Sequence, residues 1–306
     1  MHKPTKLIDV IVLIFSFLIV GKISAQEVVT HQNLAADFYR GENDTAVILL
    51  HGTLAHNRME IIKTLSTLIS EDYGFSVLAP NLSLNDSDRM AKAILNSGKA
   101  YDQPFACSIE HNHTYFDALD ELNVWVDYLK QEGFSKIVVG GHSRGGRQVS
   151  LYLADDKVDA SVVGGFLIAS GLGESETAEQ EYKASTGLSL NTLVKKFTKL
   201  EPSAFVDVPL FLYCEEPKVT AGAFVTEYTN DPRQNAPYNV SKIRGIPILV
   251  IGGSEDQVVP NIENDFKDLQ GQKNLSIQII DGADHFFRDL YADDVAGLIA
   301  DLIDGI

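Results

Sequence analysis

The chain has 306 residues, 45% of them hydrophobic and 22% charged, and its 25 Lys and Arg against 42 Asp and Glu give a formal net charge of −17. That composition is too apolar for a disordered chain, and it lacks the several apolar runs of about 20 residues that a multi-span membrane protein carries. No Lys/Arg cluster occurs anywhere in the sequence, which excludes a nucleic-acid partner and disfavours anionic membrane surfaces.

Residues 1–25 read as an export signal. Lys3 and Lys6 form a positive start, Val10 to Gly21 is apolar apart from Ser16, and Ile23-Ser24-Ala25 ends in the small residue that signal peptidase needs. The apolar run is shorter than the roughly 20 residues a bilayer span requires, so no stable membrane insertion is expected after cleavage. Removal would leave 22 basic and 41 acidic residues, a net charge of −19. The mature chain, 26–306, would then be secreted or periplasmic, a setting in which Cys107 and Cys214 can form a disulfide. Spacing alone does not say whether they meet.

Along the mature chain, short apolar runs alternate with amphipathic segments. Thr45 to His51 reads as a buried strand ending in His-Gly, and Met59 to Tyr73 as a helix with Ile61, Ile62, Leu65, Leu68 and Ile69 on one face. Phe75 to Pro80 is the next strand, Tyr115 to Glu132 the next helix, Ser135 to Gly140 a third strand and Arg144 to Ala154 a helix. Ser161 to Ala169, Ile246 to Ile251 and Leu275 to Ile280 supply further strands, and Leu290 to Ile303 a last helix. Continuous apolar strands alternating with helices specify an α/β fold, a mostly parallel central sheet with helices on both faces. The interval of about 75 residues from Ser170 to Gly245 is too long for an ordinary connection. It reads as a cap inserted at approximately 170–245, partly helical over Glu174 to Leu200, with a candidate strand at Pro209 to Cys214 and a polar loop at Thr229 to Tyr238.

The sharpest local signal is Gly141-His142-Ser143-Arg144-Gly145-Gly146, directly after one apolar strand and directly before a helix. A tight strand-to-helix turn demands small residues two before and two after its apex, which is the mechanical content of Gly-x-Ser-x-Gly. A serine hydroxyl needs a base, and the base a carboxylate to orient it. Asp256 lies just beyond the strand Ile246 to Ile251, and His285, the only histidine after it, just beyond the last strand. All three are therefore expected at one end of the sheet.

With these motifs in the order Ser, acid, His, and with His51-Gly52-Thr53-Leu54 after the first strand, the mature chain from about Thr45 onward resembles the α/β-hydrolase superfamily. The resemblance implies Ser143 as nucleophile, His285 as general base and then acid, and Asp256 as orienting acid. It also implies an oxyanion hole made of the backbone N–H groups of Thr53 and Arg144, although His-Gly-Thr-Leu differs from the His-Gly-Gly-Gly run of one lipase branch. Glu255 and Glu174 are the competing acids, while Asp281 and Asp284 are expected to shape the turn that carries His285. The implied activity is hydrolysis of a small-molecule acyl substrate, a carboxylic ester by preference, with amide, peptide and thioester bonds as alternatives on the same triad. A binding protein that keeps the fold without turnover is the remaining class. No cofactor is implied.

Other residues weigh less. His111 and His113 beside Glu110 lack a third ligand at a convincing spacing, so a loop role is expected rather than a metal. His51 reads as a packing residue that ties down its loop. The Arg144 side chain is expected to pair with one of the surplus carboxylates before any anionic substrate group.

Overall fold

The computed structural model describes residues 26–82, 107, 110–173 and 178–306. Residues 1–25, where an export signal is expected, most of the segment between Asn81 and Glu110, and Glu174 lie outside the described residues.

Eight strands form the main sheet: β1 (Gln26–His31), β2 (Leu34–Tyr39), β3 (Thr45–Leu50), β4 (Ser76–Asn81), β6 (Lys136–His142), β7 (Val162–Ile168), β12 (Ile248–Gly253) and β13 (Leu275–Ile280). Their spatial order is β1-β2-β4-β3-β6-β7-β12-β13. The pairs from β4 to β13 are parallel, and β1 and β2 join antiparallel at one edge. Every residue of β3, β4 and β12 is buried, as continuous apolar strands covered on both faces must be.

Helices close the two faces. On one side α1 (Glu60–Glu71) and the C-terminal α8 (Leu290–Asp304) set Ile61, Ile62, Leu65, Val295, Ile299 and Ile303 against Val47, Leu49, Val138 and Ile251. On the other, α2 (Asp117–Gln131) and α3 (Arg144–Leu153) bury Leu122, Trp125, Val126, Leu129 and Val149 against Ile48, Leu50, Val139 and Leu167. Full burial of such a side chain contributes about 1.5–3 kcal/mol, so these stripes dominate the packing energy.

Sequence reading missed the β1–β2 hairpin. Its two-residue turn is Gln32-Asn33, with φ 48° and 67°. Positive φ at both positions is the twist-matched hairpin turn, usually written Asn-Gly, and Gln at the first place hides it. Elsewhere the expected strands and helices stand within a few residues of their places.

Between β7 and β12 the chain leaves the sheet and returns to the adjacent position. The excursion holds α4 (Ala178–Thr186), α5 (Leu190–Phe197), β8 (Phe205–Val206), β9 (Leu210–Phe211), β10 (Cys214–Glu215), β11 (Lys218–Thr220), α6 (Ala221–Tyr228) and α7 (Ala236–Val240). It has a small core of its own around Tyr182, Phe197, Phe211 and Phe224. Where one strand was expected over Pro209 to Cys214, β9 and β10 form a miniature antiparallel hairpin instead, with Leu212 at φ 55° in the turn. The expected loop from Thr229 to Tyr238 contains a 3-10 turn at Pro232–Gln234 and the start of α7. The two-residue strand β5 (Glu110–His111) pairs with β11 and ties the preceding segment to this insertion.

The structure corrects the reading of His111. The ring is buried and packs edge-on against Phe211 at 5.3 Å, so it belongs to the insertion's core rather than to a solvated loop. Among the described residues, no helix is long and apolar enough to cross a membrane.

Candidate active site

Ser143 sits between β6 and α3 with φ 54° and ψ −123°. A non-glycine residue in this region carries about 1–3 kcal/mol of strain that the surroundings must hold. They do so with backbone bonds. The Ser143 N–H donates to the Ile168 carbonyl at 2.8 Å. Its own carbonyl accepts from the N–H groups of Gly146 (3.0 Å) and Arg147 (3.2 Å) and from Ser170 Oγ (2.8 Å). The flanking glycines are steric necessities. A Cβ on Gly141 would lie 2.5 Å from the Gly145 carbonyl carbon, one on Gly145 would lie 2.4 Å from the His51 carbonyl oxygen, and one on Gly146 would lie 2.0 Å from Ser170 Oγ.

Asp256 and His285 meet across neighbouring loops, after β12 and β13. His285 Nδ1 and Asp256 Oδ2 are 2.8 Å apart, and Asp256 Oδ1 accepts from the N–H groups of Val258 (2.7 Å) and Val259 (2.8 Å). Burial acts to raise the Asp256 carboxyl, but the bonds from His285, Val259 and Val258 outweigh it and hold the group below the usual aspartate value. An ionised Asp256 accepts a hydrogen bond from Nδ1–H of His285, which leaves Nε2 as the basic nitrogen. The loops are clasped to each other: the Glu255 N–H donates to the Ala283 carbonyl (3.0 Å), and the Gly282 N–H to Ser254 Oγ (2.8 Å). Glu255 is exposed where Asp256 is buried, so it does not reach the histidine. Asp281 accepts from Ser254 Oγ, and Asp284 accepts from the Phe286 N–H and pairs with Arg288, so both shape the turn.

Ser143 and His285 line one cavity of about 400 Å³. Its other walls are mainly apolar, with Leu54, Met59, Ile61, Ile62, Val258 and Phe286 among them, and Thr53 and Gly52 lie beside the serine. Thr53 follows β3 and Arg144 opens α3, so the N–H of Arg144 has no carbonyl partner within the helix. Both backbone positions therefore stand next to Ser143. Gly52 lies so close that a Cβ there would come within 3.3 Å of Ser143 Cβ.

Three buried side chains brace this arrangement. His51 Nε2 accepts from the Leu82 N–H (3.0 Å), so its Nδ1–H faces the Gly52 carbonyl (3.0 Å). Burial pushes His51 down to about 4 and keeps it neutral. Arg144 Nη1 bonds Glu227 of α6, with both side chains almost wholly enclosed, and its guanidinium lies 4.7 Å from the Tyr115 ring centre. The third was not singled out in the sequence. His142 Nε2 lies 2.7 Å from the His285 carbonyl oxygen, to which it donates, and burial followed by the neighbouring His285 lowers its pKa to about 3. Its position as the variable residue of Gly-x-Ser-x-Gly carried no signal, since its partner is 143 residues away.

Cys107 and Cys214 form a disulfide, with Cα atoms 5.2 Å apart. It packs with Leu54 and Leu212. His56 and Arg58 turn inward: the Arg58 guanidinium bonds Asp37 through Nε (2.6 Å) and Nη2 (2.7 Å), and His56 Nδ1 accepts from the Arg58 N–H. Among the described residues no group of three or more His, Cys, Asp or Glu is placed to hold a metal ion.

The sequence model of the alpha/beta hydrolase family matches residues 47–298. The chain belongs to that family. Solved structures share the fold at low identity. Est1E from Butyrivibrio proteoclasticus aligns with 92% of this chain and 100% of its own at 18% identity, with a TM-score of 0.56. A monoacylglycerol lipase of Paleococcus ferrophilus aligns over 89% and 98% at 16% identity with a TM-score of 0.59. An esterase of Pyrococcus furiosus aligns over 92% and 91% at 15% identity with a TM-score of 0.53. Comparison with curated proteins finds no match. The protein is thus an α/β-hydrolase with the mostly parallel sheet of that fold, and a hydrolase in the general sense.

Proposed function

We propose that the protein is an exported serine hydrolase that cleaves carboxylic esters through an acyl-enzyme on Ser143. The observation that carries the reading is the shared placement of Ser143 and His285 in one apolar cavity, with His285 Nδ1 bonded to a buried Asp256. His285 Nε2 takes the Ser143 hydroxyl proton as Oγ attacks the acyl carbon. The N–H groups of Thr53 and Arg144 bind the oxyanion, a term worth about 3–4 kcal/mol per donor. His285 then protonates the leaving alcohol, and a water activated by the same nitrogen releases the acid.

Preference for esters rests on the largely hydrocarbon lining of the cavity and on likeness of fold to proteins named as an esterase and a lipase. Export rests on residues 1–25 and is supported by the Cys107–Cys214 disulfide, which persists in oxidising compartments. The test is covalent labelling with a fluorophosphonate, followed by mass mapping, alongside turnover of 4-nitrophenyl esters of increasing acyl length. An adduct on Ser143, and loss of both adduct and turnover in Ser143→Ala, are the expected results. Absence of an adduct under conditions that label a known serine hydrolase overturns the reading.

A further inference from the structure

Beside the apolar cavity is a second one of about 330 Å³, lined by Arg147, Glu181, Tyr182, Ser185 and Tyr228. Thr53 and Tyr213 line both cavities, so the two meet at the segment next to Ser143. Their chemistry differs. The first is walled mainly by aliphatic and aromatic carbon, whereas the second adds the Arg147 guanidinium, hydroxyls and the carboxylates of Glu181 and Glu227 to the side chains of Ala178, Leu210 and Leu212.

Arg147 stands one helical turn after the nucleophile, its N–H bonded to the Ser143 carbonyl at 3.2 Å. Every other described arginine has an acceptor for its guanidinium. Arg40 pairs with Glu27 and Glu132, Arg58 with Asp37, Arg144 with Glu227, Arg233 with Asp231 and Arg288 with Asp284, while Arg244 bonds the carbonyls of Ser241 and Ile243. The Arg147 guanidinium has neither ion pair nor hydrogen bond among the described residues, and its one ring neighbour, Tyr115, is 6.0 Å from it. In a chain with 42 acidic and 25 basic residues, a half-buried arginine without a carboxylate is conspicuous. The adjacent Glu227 is already committed to Arg144. Glu181 is exposed, so water screens its charge.

A guanidinium presents a planar fork of donors that fits carboxylate or phosphate oxygens in pairs. We infer that the second cavity is a subsite where Arg147 binds an anionic group on one side of the scissile bond, while the apolar cavity holds the hydrocarbon of the other side. The substrate class is then an amphiphilic ester with one hydrocarbon arm and one arm ending in a carboxylate or phosphate. The anionic group is held and unchanged by the reaction: the ester and water give the acid and the alcohol.

The inference rests on the proposed hydrolase reading for its geometry, but binding without turnover tests it separately. The Ser143→Ala protein is titrated by calorimetry with non-hydrolysable amides. One arm compares 4-(hexanoylamino)benzoate with its neutral benzamide, a second compares N-hexylsuccinamate with its diamide, and a third compares 4-(hexanoylamino)phenyl phosphate with the neutral 4-(hexanoylamino)phenol. In at least one arm the anionic member is expected to bind about tenfold or more tightly than its neutral partner, as one charge-assisted contact provides. That preference should fall to about twofold or less when Arg147→Gln is added and be partly restored by Arg147→Lys, since a lysine is a point charge without the fork. No anionic preference in any arm, or a preference that survives Arg147→Gln, overturns the inference. If Ser143 labels with fluorophosphonate and no preference is seen, only the subsite fails; if the preference is seen without labelling, only the hydrolase reading fails.

Discussion

The disulfide offers the sharpest separation of stability from catalysis. Cys107 and Cys214 are 107 residues apart in sequence. Closing a loop of that length restricts the unfolded chain by up to about 4.7 kcal/mol, and native disulfides typically deliver about 2–4 kcal/mol. Replacing both cysteines by serine removes the crosslink without leaving a reactive thiol. With a urea slope of about 3 kcal/mol per molar, a loss of 3 kcal/mol moves the unfolding midpoint down by about 1 M.

The consequence for activity follows from what the bridge touches. The disulfide packs on Leu54, which is buried at φ 50° and directly follows Thr53. On the proposed reading the Thr53 N–H is an oxyanion donor, and with the support gone it loses its fixed aim. Removing one oxyanion donor outright costs about 10²–10³ in kcat, and a loosened one costs part of that. The double serine variant should therefore lose kcat on 4-nitrophenyl butyrate by about tenfold or more, with KM changed less, even at temperatures where it is fully folded. The same loss should follow treatment of the wild type with a reductant. A midpoint shift under about 0.3 M would refute the crosslink argument. An unchanged kcat in folded variant would refute the link between the bridge and the oxyanion loop.

Three further outcomes follow from buried groups. Glu227→Ala leaves the enclosed Arg144 without its carboxylate and should cost about 3–5 kcal/mol in urea unfolding, whereas Arg144→Met combined with Glu227→Leu should recover most of it; a single variant of wild-type stability would refute this. His51 and His142 are held neutral, at about 4 and about 3. Above about pH 6.5 neither affects stability, because both are neutral unfolded as well. Below it the unfolded chain takes up protons that the native state refuses, so each histidine destabilises the fold by about 1.4 kcal/mol per pH unit until it titrates in the native state. Urea midpoints should therefore fall steeply from pH 6.5 to 4.5, and flat midpoints over that range would count against the assignment. Gly146→Ala drives a methyl to 2.0 Å from Ser170 Oγ and 2.7 Å from the Gly141 carbonyl oxygen. It should cost about 1–3 kcal/mol and slow fluorophosphonate labelling of Ser143, and labelling at the wild-type rate would contradict the steric argument.

What could be read from the sequence divides by the range of the physics. Strands β3, β4 and β12 are buried on both faces, so each is a continuous apolar run, and each is visible without its neighbours. The β1–β2 hairpin, at an edge with most of β1 exposed, lacks both the run and the usual Asn-Gly turn. Part of the elbow is legible because Gly141 is demanded by the backbone of Gly145, four residues on, whereas Gly145 and Gly146 are demanded also by His51 and Ser170, which are distant in sequence. Ion pairs and long-range bonds follow another rule. Nothing in the residues near Arg144 selects Glu227, 83 positions on, over any other surplus carboxylate, and nothing near His142 points to the carbonyl of His285.

Ser143 itself spans both regimes. The carbonyl of Ser143 accepts bonds from Gly146 and Arg147, which any helix beginning at that point supplies, and from the hydroxyl of Ser170, which follows the next strand. Ser170 Oγ also reaches the Ile168 carbonyl, and Ile168 in turn accepts the Ser143 N–H. The positive-φ turn is thus bonded on both its N–H and its carbonyl side to the end of β7. A sequence motif can announce the strained serine, but the strain is held by a neighbouring strand, and that contact exists only once β6 and β7 have paired.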